Sequence, residues 1–354
     1  MAASPDTVPV ATGPSLGHGN DNGSDGSNGP GGFKGSGCVR RRHMVVLIGT
    51  RDGVFRTPGP PVEDAERVLD CGDTLRVRRF PSVEGAFAAT ETGLYRSMDG
   101  GGTWDSLDVP REEVYSVVAG PEGDRLYAGT HPAHLYVSTD DWETWDELDG
   151  FQDLPSRDQW HTPRHRDEAH VRSLDVHPAR PDRVIAGVEV GGVHVSDDRG
   201  ETWTERRANV NDDVHHVLVV GPDEYVASCG DGLYRTRDAG TSWSRLDDGL
   251  DHRYFREAFA FDGRLYAAAA RGSPGTWRGE GGADAVLVES TGGGETMETV
   301  SYPGGPAEVV LAWTECEGRV LAGTDGGRLL VRGDDGAWTD TGTLGPGIRS
   351  LESW

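Results

Sequence analysis

Four arginines, a tyrosine, a histidine and a glutamate occupy the second position of seven recurring apolar segments: Arg76, Tyr115, Arg172, His215, Arg256, Glu308 and Arg349. A guanidinium presents a planar fork of donors that matches a carboxylate or phosphate with two parallel hydrogen bonds. Arginines brought together from separate repeats would therefore hold an anion. A second set, Arg51, Glu91, His131, Glu189 and Asp325, follows a recurring run of apolar and then small residues. Two of its carboxylates, Glu189 and Glu91, are the candidates for acid–base or nucleophilic chemistry. The competing reading makes the same arginines packing residues, salt-bridged between neighbouring repeats.

Two interruptions of the repeat add to this inventory. Phe151–Ala169 carries Trp160, His161 and His165, and Gly272–Ala283 carries Trp277. Long loops in compact folds often bind ligands, so Trp160 and Trp277 are expected to be exposed and to stack on or grip one. Histidines also recur at positions 131, 134, 161, 165, 170 and 177, but without a fixed metal-ligand spacing. No metal and no cofactor are expected. The four cysteines stand far apart and form no C-x-x-C pair, which suggests neither a disulfide framework nor a zinc site.

What must position these side chains is a repeat. LIGTRDGVFRT, AFAATETGLYRS, LYAGTHPAHLYVS, VIAGVEVGGVHVS, YVASCGDGLYRT, LYAAAA with a delayed VLVES, and VLAGTDGGRLLVR are seven copies of one phrase. They recur about every forty residues, with two longer gaps at the insertions. Each unit reads as four short strands: A, of V-x-S-V type; B, ending in small residues; C, the GLYRS run; and D, after T-W. Four-stranded antiparallel units in such an array are propeller blades, each sheet burying its faces against its neighbours. The predicted fold is therefore all-β, a seven-bladed propeller. Its first unit, starting at Met44, lacks strand A, and the final GIRSLESW segment matches one. The C-terminal strand is thus expected to complete the first blade, with strand D of that blade near 65–71, and to cover an otherwise open edge. Loops D–A and B–C gather at one end of the channel, so both residue sets and both insertions belong to that mouth.

Residues 1–43 are rich in Gly, Ser, Asn and Asp, with too little apolar surface to offset ordering entropy. They also lack the apolar core of a secretory signal. They are expected to be a disordered tail or to precede the true start, with the propeller spanning 44–354. The chain has 59 acidic against 34 basic residues, a net charge of −25, and a single lysine, Lys34. Such acidity disfavours nucleic acid as a partner. It suits a salt-rich medium that screens self-repulsion, so a halophile's cytoplasm is the expected setting. No apolar run reaches membrane-spanning length, and a monomer is expected.

Between strands C and D, S-x-D-x-G-x-T-W is intact at Ser97, Asp99, Gly101, Thr103, Trp104 and at Ser196, Asp198, Gly200, Thr202, Trp203. It is altered at Ser138, Asp140, Trp142, Thr144, Trp145 and at Thr236, Asp238, Gly240, Ser242, Trp243, and degenerates in the last two units. The motif resembles the Asp-box, or BNR repeat, of sialidases and of many non-enzymatic propellers, across residues 44–354. That resemblance implies a propeller whose Asp-box turns lie opposite the mouth and serve architecture. A sialidase would further require an arginine triad, a Tyr beside a Glu, and an acid/base Asp. Phe55-Arg56-Thr57-Pro58 echoes the family's F-R-I-P signature but aligns as an ordinary strand C. The sequence therefore favours a non-enzymatic binding or scaffolding propeller that recognises an anionic small molecule, glycan or protein segment at the mouth. The alternative is an exo-acting, sialidase-like glycoside hydrolase using Glu189 or Glu91.

Overall fold

Strand B of each unit ends in small residues because the first strand of the next unit passes directly over it. A Cβ on Gly129 would come within 2.6 Å of Val171 Cγ1, and one on Gly187 within 2.8 Å of Val214 Cγ1. Side chains there would push adjacent sheets apart. The structure, a computed structural model, describes residues 44–277, 282–291 and 294–354. It contains seven four-stranded antiparallel sheets. The expected character of residues 1–43 and of Cys38 lies outside the described residues, as does part of the Gly272–Ala283 insertion.

The first blade pairs Val46–Thr50, Gly53–Thr57 and Glu66–Leu69 with the C-terminal strand Ile348–Ser353. Val46 faces Ser353 and Ile48 faces Leu351 across that seam. The remaining blades follow in chain order over 74–107, 114–147, 170–205, 214–245, 254–300 and 310–343. Apolar residues collect between blades rather than in one central core. Ile48, Leu321, Leu329, Ile348 and Leu351 fill the junction of the last blade and the first. Ile185, Val193, Val214, Tyr225 and Tyr234 fill that of the fourth and fifth.

The serine of the V-x-S-V pattern makes the blade-to-blade bond. Ser116 Oγ donates to the Val171 carbonyl at 2.7 Å, Ser173 Oγ accepts from Val217 N at 3.0 Å, and Ser350 Oγ accepts from Val77 N at 2.9 Å. The C–D turns are closed by their own side chains. Asp99 accepts from Thr103 N at 2.9 Å and from the Thr103 hydroxyl at 2.9 Å, while Gly101 N donates to Ser97 Oγ at 2.8 Å. The Thr103 bonds hold the Asp99 carboxyl below its ordinary range. Gly101 adopts φ 83°, a conformation that L side chains resist. Trp142 takes the equivalent place in the third blade at φ 73°, and its indole is buried in the second-to-third blade junction.

Cys71, Cys229 and Cys316 are buried free thiols. Among the described residues no helix is long and apolar enough to cross a membrane.

Buried histidines give the fold an acid limit. Burial holds His194 neutral down to about pH 4 and His216 down to about pH 3, and His170 likewise to about 4. Unfolded histidine titrates near 6.5. Below that pH the unfolded chain binds protons that the folded chain refuses, so stability falls as pH drops from 6.5 towards the folded values. At pH 4 each histidine contributes a loss of about 3 kcal/mol. Asp175 acts in the opposite sense. Burial raises its carboxyl to about 6, so its protonation between pH 6 and 4 restores about 2 kcal/mol. The unfolding free energy from denaturant titration should therefore fall between pH 6.5 and 4 by a net amount on the order of 5 kcal/mol, and His194→Gln should flatten the slope. A pH-independent midpoint across that window would contradict the burial.

Candidate functional site

Strand A carries a β-bulge at the same place in every blade. Thr74 pairs with Thr90 and Arg76 with Ala89, leaving Leu75 unpaired. The corresponding unpaired residues are Tyr115, Arg172, His215, Leu311 and Arg349, and in the sixth blade Arg256 within a wider irregularity. A bulge re-aims the side chain it releases. Here six of the seven, Leu75, Tyr115, Arg172, Arg256, Leu311 and Arg349, line one cavity of about 240 Å³ at the channel mouth.

Two members of the sequence-derived ring are displaced from this position. Arg76 lies one residue past the bulge and reaches a constriction deeper in the channel, 3.9 Å from Glu257, which also receives Arg78 at 3.2 Å. Burial pushes the Arg76 guanidinium down to about 10. Glu308 is three residues early and accepts from Thr324 Oγ1 and Arg328 Nε at 2.7 and 2.9 Å, within its own blade. Leu75 and Leu311 hold the places assigned to Arg76 and Glu308, because the alignment of strand A could not resolve which residue bulges. His215 bulges but does not line the cavity. Its Nδ1 donates to the Phe255 carbonyl, and the Tyr254 ring covers it at 4.6 Å.

The other candidates also divide. Glu189 and Trp277 line the mouth, Trp277 anchored by its Nε1 donating to Gly272 O at 2.8 Å. Trp160 is not exposed, contrary to expectation, because the insertion folds back onto the fourth blade. It is buried against Phe151 at 5.1 Å and His194 at 4.8 Å, with Nε1 donating to Ser156 Oγ at 2.9 Å. It anchors the loop and is not a lid residue. His161 stays exposed, 2.9 Å from the Asp158 carbonyl. His131 is buried behind the mouth, 2.8 Å from Glu113 and 3.0 Å from the His165 carbonyl. Glu91 is exposed and lies outside the cavity.

The cavity also recruits Asp73, Arg164, His165 and Tyr254. A pattern in the chain marks two of these. Asp73 and Tyr254 stand two residues before the bulge, as do Glu113, His170 and Asp213 in three other blades. That spacing keeps a side chain on the same face of a strand, so a second polar ring precedes the first.

The electrostatics are uneven. Five arginines, at 51, 164, 172, 256 and 349, meet two carboxylates, Asp73 and Glu189, at the mouth. Arg172 Nη1 donates to Glu189 Oε2 at 2.5 Å, with both groups nearly enclosed, and Arg349 Nε lies 3.0 Å from Asp73. Among the described residues Arg51, Arg164 and Arg256 form no ion pair, and Arg256 has only the Tyr254 hydroxyl at 3.1 Å. Burial alone would raise the Glu189 carboxyl. The Arg172 guanidinium outweighs it and holds Glu189 well below the carboxylate range. Burial raises Asp73 despite Arg349, and raises Tyr115 to about 12. Among the described residues two groups combine donors suited to a metal: His165, His170 and Glu189, and Glu189, Asp213 and His215.

No protein-family model matches the chain, and no curated protein matches it in sequence. Solved structures do share its architecture. An ancestral GH74 enzyme aligns at TM-score 0.59 and 16% identity, over 82% of this chain and 40% of that one. The GH74 enzyme of Niastella koreensis aligns at TM-score 0.60 and 15% identity, over 83% and 46%. YCF48 bound to D1 peptide aligns at TM-score 0.54 and 16% identity, over 84% and 85%. The chain therefore spans less than half the length of the two GH74 chains. At these identities the likeness is one of fold.

Proposed function

We propose that the chain is a binding or scaffolding propeller that takes an anionic ligand at its channel mouth, whether small molecule, glycan or protein segment. The observation that carries this reading is the surplus of three arginines over carboxylates at the mouth, in a chain of net charge −25. Guanidinium groups without an ion pair, at the edge of a partly enclosed cavity, lack only an acceptor. Like YCF48, which has been seen with a peptide, a propeller of this size needs no second domain to bind.

Citrate or phosphate at about 100 times its Kd should add about 2.7 kcal/mol, a rise in Tm on the order of 5 °C, beyond KCl of equal ionic strength. Arg256→Ala should abolish the difference, because it removes a donor without orphaning a buried carboxylate, whereas His161→Ala should leave it intact. Failure of citrate, phosphate and N-acetylneuraminate alike to exceed KCl would overturn the reading.

One observation supports the hydrolase alternative. Asp73 and Glu189 share the mouth with Tyr254 and an arginine cluster, and their environments push the two carboxyls apart, Asp73 up and Glu189 down. Turnover of chromogenic glycosides, lost in Asp73→Asn, would establish that reading in place of the first. Its absence across a panel would leave binding.

A further inference from the structure

We propose that Glu189, Asp213 and His215 form a binding site for one divalent transition-metal ion of the zinc or manganese class. Glu189 ends strand B of the fourth blade, whereas Asp213 immediately precedes strand A of the fifth and His215 lies near its start, so the set exists only once those blades pack. His215 carries the argument. Its Nδ1 faces the Phe255 carbonyl, which can only accept, so that nitrogen bears the proton. In the neutral ring, Nε2 then presents a lone pair. What it faces is negative: Asp213 Oδ1 at 3.5 Å and Glu189 Oε2 at 4.0 Å. The His215 side chain is fully buried, and both its Nε2 and Asp213 Oδ1 lack any hydrogen-bond partner among the described residues. Three lone pairs converging on a common point, with two of their atoms unsatisfied and enclosed, are the arrangement that a cation resolves.

The spacing suits such an ion. Ligand bonds of about 2.0–2.2 Å at a tetrahedral centre place neighbouring donors roughly 3.3–3.6 Å apart, so small movements of Glu189 and His215 close the set. The outer contacts are those of metal ligands, which are commonly oriented by a carbonyl on the second imidazole nitrogen and by a hydrogen bond to the carboxylate. The Phe255 carbonyl supplies the first and Arg172 Nη1, on Glu189 Oε2, the second. One imidazole with two carboxylates favours zinc or manganese over calcium or magnesium, which prefer oxygen alone. Glu189 and Asp213 against Arg172 leave one negative charge, which a dication converts to one positive charge beside the mouth.

The neighbouring cluster of His165, His170 and Glu189 is less well built. Among the described residues His170 Nδ1 has no partner to set its tautomer, His170 Nε2 lies 3.4 Å from the Arg172 cation, and His165 sits on an exposed loop.

The test is made on the full chain, stripped with a chelator and titrated calorimetrically with Zn²⁺, Mn²⁺ and Co²⁺, with bound metal counted by elemental analysis after dialysis. One equivalent of at least one ion is expected. Asp213→Asn and His215→Gln should each weaken it at least tenfold, whereas His165→Ala should leave it unchanged. Both substitutions avoid Glu189, whose loss would strand Arg172, and circular dichroism verifies that each variant is folded. No stoichiometric binding of any of the three ions would overturn the proposal. So would binding that survives Asp213→Asn and His215→Gln, or binding lost in His165→Ala but kept in Asp213→Asn. None of the citrate, phosphate or N-acetylneuraminate probes enters these measurements, so failure of the anion reading leaves their outcome intact.

Discussion

Deleting Arg349–Trp354 should cost the propeller its cooperative unfolding transition. Those six residues supply the inner strand of the first blade, with Leu351 buried against Ile48 and the last blade. They also join the first blade to the second. Ser350 accepts from Val77 N at 2.9 Å, Glu352 from Arg79 N at 3.0 Å, and the Ser353 carbonyl from Arg79 Nη1 at 3.1 Å. Loss of Leu351 alone costs about 1.5–3 kcal/mol, and each hydrogen bond lost adds about 1 kcal/mol. The sum approaches the 5–15 kcal/mol that typically separates folded from unfolded chains. It also bares the edge of Val46–Thr50, a template for intermolecular pairing. Circular dichroism melts and size-exclusion chromatography should report a lost or strongly lowered transition and aggregation. A melt matching the full chain would mean that the last strand does not hold the ring closed.

Replacing Arg172 by Leu should destabilise the fold by about 3–5 kcal/mol, because it leaves Glu189 charged and enclosed without its principal cation. Glu189→Leu alone should cost a similar amount by stranding Arg172. Combining the two should recover much of the loss, since an apolar pair incurs no desolvation penalty. Chemical denaturation of the two single variants and the double gives the coupling directly. Costs below about 1 kcal/mol for both singles would assign the pair to the solvent-screened class. The same experiment bears on the mouth, because Arg172 spent on Glu189 is not free for a ligand. This is why Arg256 is the sharper probe of anion binding.

The contrast between Arg172 and Arg256 marks how far the residues alone could be read. Both were legible as members of one ring, since the repeat places them at equivalent positions. Their difference was not, because it depends on Glu189 lying opposite Arg172 while Arg256 meets only Tyr254. The competing reading of the ring, arginines salt-bridged between neighbouring repeats, describes Arg349 beside Asp73, whereas Arg172 pairs within its own blade and Arg76 with the sixth. Trp160 departs from the expected exposure for a related reason. Its loop is polar and long, which predicts exposure, but Phe151 and His194 fold a pocket around the indole. No local pattern announces a loop that packs on its own blade.

By itself the sequence determined the number of blades, their strand order and the closure of the ring. These follow from short-range physics: alternation along strands, turn chemistry within a few residues, and small residues wherever the next sheet must approach. Tertiary structure decided which side chains meet. A bulge shifts one residue per strand towards the axis, and an error of one position exchanges Arg76 for Leu75 at the mouth. The pairing of Arg172 with Glu189, the enclosure of His215 and the surplus of guanidinium at the mouth all join residues from different strands or blades. Such contacts arise from the packing of whole sheets, which no repeat read along the chain encodes.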